Sequence, residues 1–445
     1  EKRSIPLKAK DRTEDHPIVF GGGPVLTANP EPYCEFFDFI IIGDAENIDT
    51  SIIDVIKANK HLPKSEVLKM VADIKGIYVP SLTEYDETKG VTKKGGELLC
   101  IEKFSAPLSK CISTPVLSEK SFFANTFVIE IVRGCPQRCG FCLASYLNLP
   151  ARFCDYDQII AGIDFGLKYT NKIALLGALI TAHPRFDDIC RHILKRKEDI
   201  PDLELSVSSL RADSISPVII QTLVACGQKH STIAIEAGSE RLRKLINKNL
   251  SEKQIFETVK TAYENGLKGL KIYAMIGHPT ETKHDIDEMI ALAKKLKTSF
   301  KDFDFTFSFA TFVPKSHTPF QFCERESVKS LEQKYEYLKK EFHKLGVKIR
   351  TSSVKWDYWQ ALISRGDRRL CDYLVSVYKD GANLGAFKQT YKNMYKQKLL
   401  PPSEEFALRK RDINENLPWD FIKMPPSKEA LIKEYQRLLG ECNKV

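Results

Sequence analysis

From residue 126 onward the chain alternates short apolar runs with segments of helical period, and it does so six times. The runs are 126–132, 173–180, 203–207, 232–235, 270–276 and 303–312, and the helical segments lie near 156–169, 186–197, 217–225, 251–264 and 284–297. Each run ends at a glycine or a polar turn before the next helix. Strands joined by helices must run parallel, and such crossovers are right-handed. The pattern therefore predicts an α/β fold, a (β/α)6 partial TIM barrel over residues 121–345, with the site at the C-terminal ends of its strands.

Around this core two further regions are expected. Residues 1–120 form an irregular segment with one compact βα signal: Val19-Phe20 leads into Gly21-Gly-Gly-Pro24, then a β run at 36–42 and a helix near 50–59. Residues 80–115 are rich in turn formers and read as loop. Residues 321–345 read as one more amphipathic helix, and residues 346–445 as a mostly helical region anchored by Trp356, Trp359 and Trp419.

Composition narrows the class. A chain of 445 residues is too long for one small core. Its 43% hydrophobic and 28% charged content is ordinary for a globular protein. No apolar run approaches the roughly 20 residues of a membrane span, and residues 1–16 lack the apolar stretch of a signal peptide. The net charge of +9 is mild, with bases and acids interspersed, so nucleic acid is not indicated as a partner. Twelve cysteines include one tight group of three; the others, at 34, 100, 111, 154, 190, 226, 323, 371 and 442, are scattered. In a long chain without a signal this predicts metal chemistry for the group, small buried apolar roles for the rest, and a reducing cytoplasm.

The group reads Glu130-Ile-Val-Arg-Gly-Cys135-Pro-Gln-Arg-Cys139-Gly-Phe-Cys142, directly after the first barrel strand. Three thiolates in Cys-x-x-x-Cys-x-x-Cys spacing suit a [4Fe–4S] cube and leave one of its irons without a protein ligand. That iron is free to chelate the amino and carboxylate groups of S-adenosylmethionine (SAM), whose reductive cleavage starts radical chemistry. Gly134 and Gly140 permit a tight path around the cluster, and Phe141 is placed to pack on the adenine. The competing reading is structural zinc, which wants four ligands in paired spacings; no fourth Cys or His lies close by.

These residues, with the βα series behind them, resemble the radical SAM superfamily, and more narrowly its members that carry an N-terminal cobalamin-binding domain. An uncharacterised group of these is similar in the phrases Ser208-Ser-Leu-Arg-Ala-Asp213, Glu236-Ala-Gly-Ser-Glu-Arg-Leu-Arg243, Lys271-Ile-Tyr-Ala-Met-Ile-Gly-His-Pro-Thr-Glu281 and Ser364-Arg-Gly-Asp-Arg-Arg369. The resemblance runs from about residue 16 to about residue 390. It implies a [4Fe–4S] cluster on Cys135, Cys139 and Cys142, SAM as the small-molecule partner, and an electron donor such as flavodoxin or ferredoxin.

It further implies SAM contacts from Phe141, Gly177, Arg211, Glu236 and Gly277. Gly177 sits where a Gly-Gly-Glu motif would hold the SAM amino group, but the text here is Leu-Leu-Gly-Ala-Leu, so backbone carbonyls would have to serve. For Arg211 and Glu236 the alternative is a structural salt bridge, and for Gly277 a plain strand-ending turn. Gly22 and Gly23, with Ile42-Gly-Asp-Ala-Glu46, resemble the last part of a cobalamin domain, although the Asp-x-His-x-x-Gly motif is absent. The earlier units of such a domain do not fit in twenty residues, and the chain starts at Glu1 rather than Met, so an upstream segment is expected. The alternative is a truncated domain that only packs.

The functional expectation is SAM cleavage to a 5′-deoxyadenosyl radical, with cobalamin-dependent methylation as its leading use. A methylthiotransferase would need a second cluster, for which Cys34, Cys100 and Cys111 offer unfavourable spacing; a non-catalytic iron–sulfur protein is the alternative of another class. His183, His230, His278 and His317 lie near strand ends or loops and are expected to be ordinary hydrogen-bonded histidines, a proton donor being the alternative; Arg365, Asp367, Arg368 and Arg369 are expected to form a surface salt-bridge net, with the seating of an anionic substrate as the alternative.

Overall fold

The computed structural model describes residues 4–108 and 110–440; Cys442 lies outside the described residues. Three short strands open the chain: β1 (Phe20–Gly21), β2 (Phe39–Ile41) and β3 (Ile77–Tyr78). β1 runs parallel to β2, and β3 pairs antiparallel on its other side. Two helices, Ile48–Ala58 and Lys64–Ala72, bury Ile48, Ile52, Val67, Leu68 and Val71 against this sheet. It is a small mixed sheet.

The main body is a run of parallel strands: β4 (Phe127–Arg133), β5 (Lys172–Gly177), β6 (Glu204–Val207), β7 (His230–Glu236), β8 (Gly269–Ile276), β9 (Asp304–Thr311) and β10 (Lys348–Thr351). Ladders join β4, β5 and β6 in one sheet and β7 to β10 in a second. A single bridge, Leu210 to Ile233, links them, so the body is an open partial barrel rather than a closed one. The six expected strands are all present, and β10 adds a seventh.

Alternation along the strands fixes which face meets the helices. In β9, Phe305, Phe307 and Phe309 are buried. Burying each such side chain contributes about 1.5–3 kcal/mol. They pack with Leu331, Leu338 and Phe342 of helix α1 (Val328–Lys344). Helix starts are set by side chains that satisfy orphan N–H groups: Ser216 caps Pro217–Ala225, and Ser251 with Gln254 forms a capping box for Glu252–Glu264.

Several expectations need correction. The helix read over 321–345 starts at Val328, because Ser327 caps it and Phe320 and Phe322 turn into the core in a short 3-10 segment. Residues 80–115 contain the hairpin 83–86/90–93 and two short strands. Trp359 and Trp419 are buried anchors, but Trp356 is 42% exposed. The cluster at 365–369 is not on the surface: Arg365 and Asp367 are fully buried. Arg368 bonds Glu31, Tyr78 and Thr83 of the N-terminal segment, and Arg369 pairs with Asp367. Cys111 and Cys154 are not free apolar groups but a disulfide. The strands 112–113 and 152–153 both pair with β4, which brings their two ends together. No described helix is long and apolar enough to cross a membrane.

Candidate functional site

The loop after β4 is pinned from several elements. Gly134 has φ +90, and a Cβ there would stand 2.4 Å from the Asn148 carbonyl, so only glycine fits. Ser145 Oγ donates to the Cys135 carbonyl at 2.7 Å, and Asn247 Nδ2 to the Arg138 carbonyl at 2.8 Å. The Gly140 N–H donates to Ile246 O at 2.9 Å, and the Phe320 N–H to Gly140 O at 3.1 Å. Neighbouring segments thus hold the backbone that carries Cys135, Cys139 and Cys142.

Burial pushes all three thiols up, Cys139 to about 11, while the charges of Lys248 and Arg211 pull that thiol back down. Each thiol feels another's charge. Ligand cysteines must be thiolates, and three sulfurs on a pinned loop are a donor set that fits an iron–sulfur cluster, with two cations beside them to favour the thiolate form. Among the described residues no three His, Cys, Asp or Glu side chains converge as they would on a single ion.

The cations have partners of their own. Lys248 Nζ lies 3.3 Å from Glu236 Oε1, at the end of β7, where Glu236 takes φ +68. Arg211 is buried; its Nε donates to Asp213 Oδ1 at 2.6 Å and its NH2 to the Lys248 carbonyl. Arg211 and Glu236 therefore do not pair with each other, and Lys248, which the sequence reading missed, stands between them. Its signal was present: the turn after Glu236-Ala-Gly-Ser returns a lysine twelve residues on.

Phe141 lies 6.0 Å from the His278 ring, centre to centre, and His278 is 5.9 Å from Phe312. His278 Nε2 lies 3.4 Å from the Glu236 carbonyl, while its buried Nδ1 has no partner among the described residues. Gly277 has φ +78; its N–H donates to Glu281 Oε2 at 2.7 Å, and Glu281 pairs with Lys334 at 2.7 Å. Of the other histidines, His183 contacts the Cys154 carbonyl, and His230 stands at the opposite, N-terminal end of β7. Cys34 is buried beside Cys371, Cys100 is exposed and Cys111 is in the disulfide, so the triad for a second cluster is not assembled.

A cavity of about 870 Å³ opens beside the cluster loop. Gly23 and Gly43 line it from the N-terminal segment, Gly134 and Gly177 from the barrel. Gly23 has φ +90 and open space where a Cβ would be; Gly22 lies behind it in ordinary contact with Ile41. Arg133 clamps the two sides together: it reaches Glu46 at 2.7 Å, Asp44 at 3.2 Å and Glu130 at 2.6 Å. Arg133 holds the Glu46 carboxyl below its usual range, and Arg152 with the Ala106 N–H does the same for Asp44, each despite partial burial.

Comparison with known proteins now decides the family. Residues 129–293 match the Radical SAM superfamily, and residues 1–80 match the N-terminal region of radical SAM proteins. An uncharacterised protein of Methanocaldococcus jannaschii is 32% identical over 369 residues, 82% of this chain and 75% of that one. The chain belongs to the radical SAM superfamily. An uncharacterised methyltransferase of Pyrococcus horikoshii is 25% identical over 307 residues, 66% of this chain and 62% of its own length. Among solved structures, the radical SAM methyltransferase TsrM from Kitasatospora setae, with cobalamin and a [4Fe–4S] cluster bound, aligns at TM-score 0.47 and 15% identity over 68% of this chain and 59% of that one. The chain is thus a radical SAM enzyme whose cofactors are a [4Fe–4S] cluster and SAM.

Proposed function

We propose that Cys135, Cys139 and Cys142 hold the cluster and that the enzyme is a cobalamin-dependent methyltransferase. Residues 1–120 form the cobalamin-side segment, residues 121–345 the barrel and residues 346–445 its helical flank. The observation that carries the reading is the cavity of about 870 Å³ between Gly23 and Gly177, which borders the loop leading into Cys135. Four glycines line it, so flat ligand surface can approach the backbone closely.

When bound, the cluster and SAM supply an electron and a 5′-deoxyadenosyl radical, and cobalamin supplies a methyl carrier. The chain's own groups do the rest. Lys248 and Arg211 offset the charge of the thiolates. Glu236, freed from or shared with Lys248, accepts a hydrogen bond from the SAM amino group or ribose. Phe141 covers the adenine, and the carbonyls around Gly177 and the turn at Gly277 complete the contacts. A flavodoxin- or ferredoxin-type donor in a reducing cytoplasm supplies the electron.

The test is anaerobic reconstitution with and without hydroxocobalamin, followed by mass spectrometry of SAM products. The reading expects 5′-deoxyadenosine in both preparations and S-adenosylhomocysteine only with cobalamin. 5′-Deoxyadenosine alone in both would remove the methyl-transfer part.

A further inference from the structure

The barrel carries a second, unassigned recognition feature on the face turned away from its helices. Along β8 and β9 the core-facing residues are buried, and in β10 they are partly buried, whereas Tyr273, Ser308 and Arg350 look into the lumen. The ladder register sets them in one row across three strands: Tyr273 pairs with Ser308, and Ser308 pairs with Arg350. With Glu236, Met275 and Ser352 they line a cavity of about 430 Å³. Glu236 is the residue paired with Lys248, so this cavity opens beside the cluster loop.

The row has one sign of charge to offer. Among the described residues no hydrogen bond or ion pair engages the Arg350 side chain. In the row below, Lys271 Nζ lies 3.2 Å from the Tyr273 hydroxyl. The register continues from Lys271 through Thr306 to Lys348. A basic residue on an edge strand is often only a guard against aggregation. Tyr273 and Ser308, however, sit on interior strands at Arg350's level, which an edge device does not require. A guanidinium fork at the end of a row that continues in two hydroxyls takes a carboxylate or phosphate in two parallel bonds and offers further donors beside it.

We propose that this row seats an anionic group of the substrate, a carboxylate or a phosphate, with Arg350 as the anchor and Ser308 and Tyr273 as supporting donors. The placement rests on the radical SAM reading, since that is what makes the mouth of this lumen the reacting end. The substrate is held by its charged end, and its uncharged part extends toward Glu236.

Two probes separate the sources of the anion: inorganic pyrophosphate and malonate, titrated calorimetrically into reconstituted, SAM-saturated protein without reductant. One of the two binds wild type at one site per chain. Arg350→Ala weakens it at least tenfold, Arg350→Lys restores part of the loss, and Lys388→Ala, which lines a different cavity, binds as wild type does. Circular dichroism of each variant checks folding, and Ser308→Ala gives a second reading on the same row if Arg350→Ala is unstable. Equal affinity in wild type, Arg350→Ala and Ser308→Ala means an adventitious ion only and overturns the proposal, as does no binding of either probe to wild type below about 10 mM. Because no reductant is present, the result is independent of whether wild type cleaves SAM, which is assayed separately.

Discussion

Lys248 and Glu236 face each other at 3.3 Å where β7 ends, and the Cys135, Cys139 and Cys142 thiols all lie within electrostatic reach of the lysine. The ammonium is buried, so its charge acts through little water. Lys248→Met removes it and leaves Glu236 beside three sulfurs that must ionise to bind iron. We expect iron per chain to fall after reconstitution and 5′-deoxyadenosine formation to drop about tenfold, roughly 1.4 kcal/mol. Unchanged iron content and rate would show that Arg211 alone suffices.

Gly134 offers a test of the loop. Alanine there meets both the cost of φ +90 and the Asn148 carbonyl at 2.4 Å. The backbone cost alone is of order 1–3 kcal/mol. Gly95, with φ +96 and open space around it, carries the strain without the clash. Gly134→Ala should therefore lose iron much faster than Gly95→Ala when challenged with an iron chelator; equal loss would mean the loop is not held where it is drawn.

The junction between the two ends of the chain is a buried charge cluster. Glu31 is fully buried, and Arg368 bonds its carboxylate and the Tyr78 hydroxyl. Burial pushes the Glu31 carboxyl up while Arg368 pulls it back. Removing one partner of a buried pair leaves the other uncompensated, at about 3–5 kcal/mol. Arg368→Ala should lower the urea midpoint accordingly and raise amide exchange in residues 20–41. Loss of less than about 1 kcal/mol would place the pair in solvent.

Two buried histidines set a pH dependence. Burial lowers His278 to about 4 and His317 to about 3. Their folded values lie below the unfolded value near 6.5. The unfolded chain therefore binds more protons between these limits, and stability is full above about pH 6.5 and falls as pH drops toward 4. Each histidine contributes up to about 1.4 kcal/mol per pH unit in that window. Urea melts at pH 7 and pH 5 should show the loss, and His278→Gln should make it shallower. A pH-independent midpoint, or one identical in slope for His278→Gln, would contradict the burial.

Much of the barrel was legible because its signals are local. Apolar runs between helical segments located the six expected strands, and Cys135, Cys139 and Cys142 stand out in the sequence by their spacing and their place directly after the first strand. What escaped depends on contacts distant in sequence. Lys248 meets Glu236 only once the short helix Glu240–Leu245 turns the chain back after β7. Arg368 reads as a surface charge until the C-terminal helices carry it to Glu31, 337 residues away. Cys111 and Cys154 look like isolated thiols until two short strands pair with β4. Trp356 failed for the converse reason: aromatic character predicts burial on average, but the side chain lies on a half-exposed helix face.

The most direct measurement is made on wild-type protein reconstituted without oxygen and reduced in the presence of SAM, alongside Cys139→Ala. The account predicts about four irons per wild-type chain and formation of 5′-deoxyadenosine, with both lost in the variant. Zinc in place of iron, or a full cluster that leaves SAM uncleaved, would contradict it.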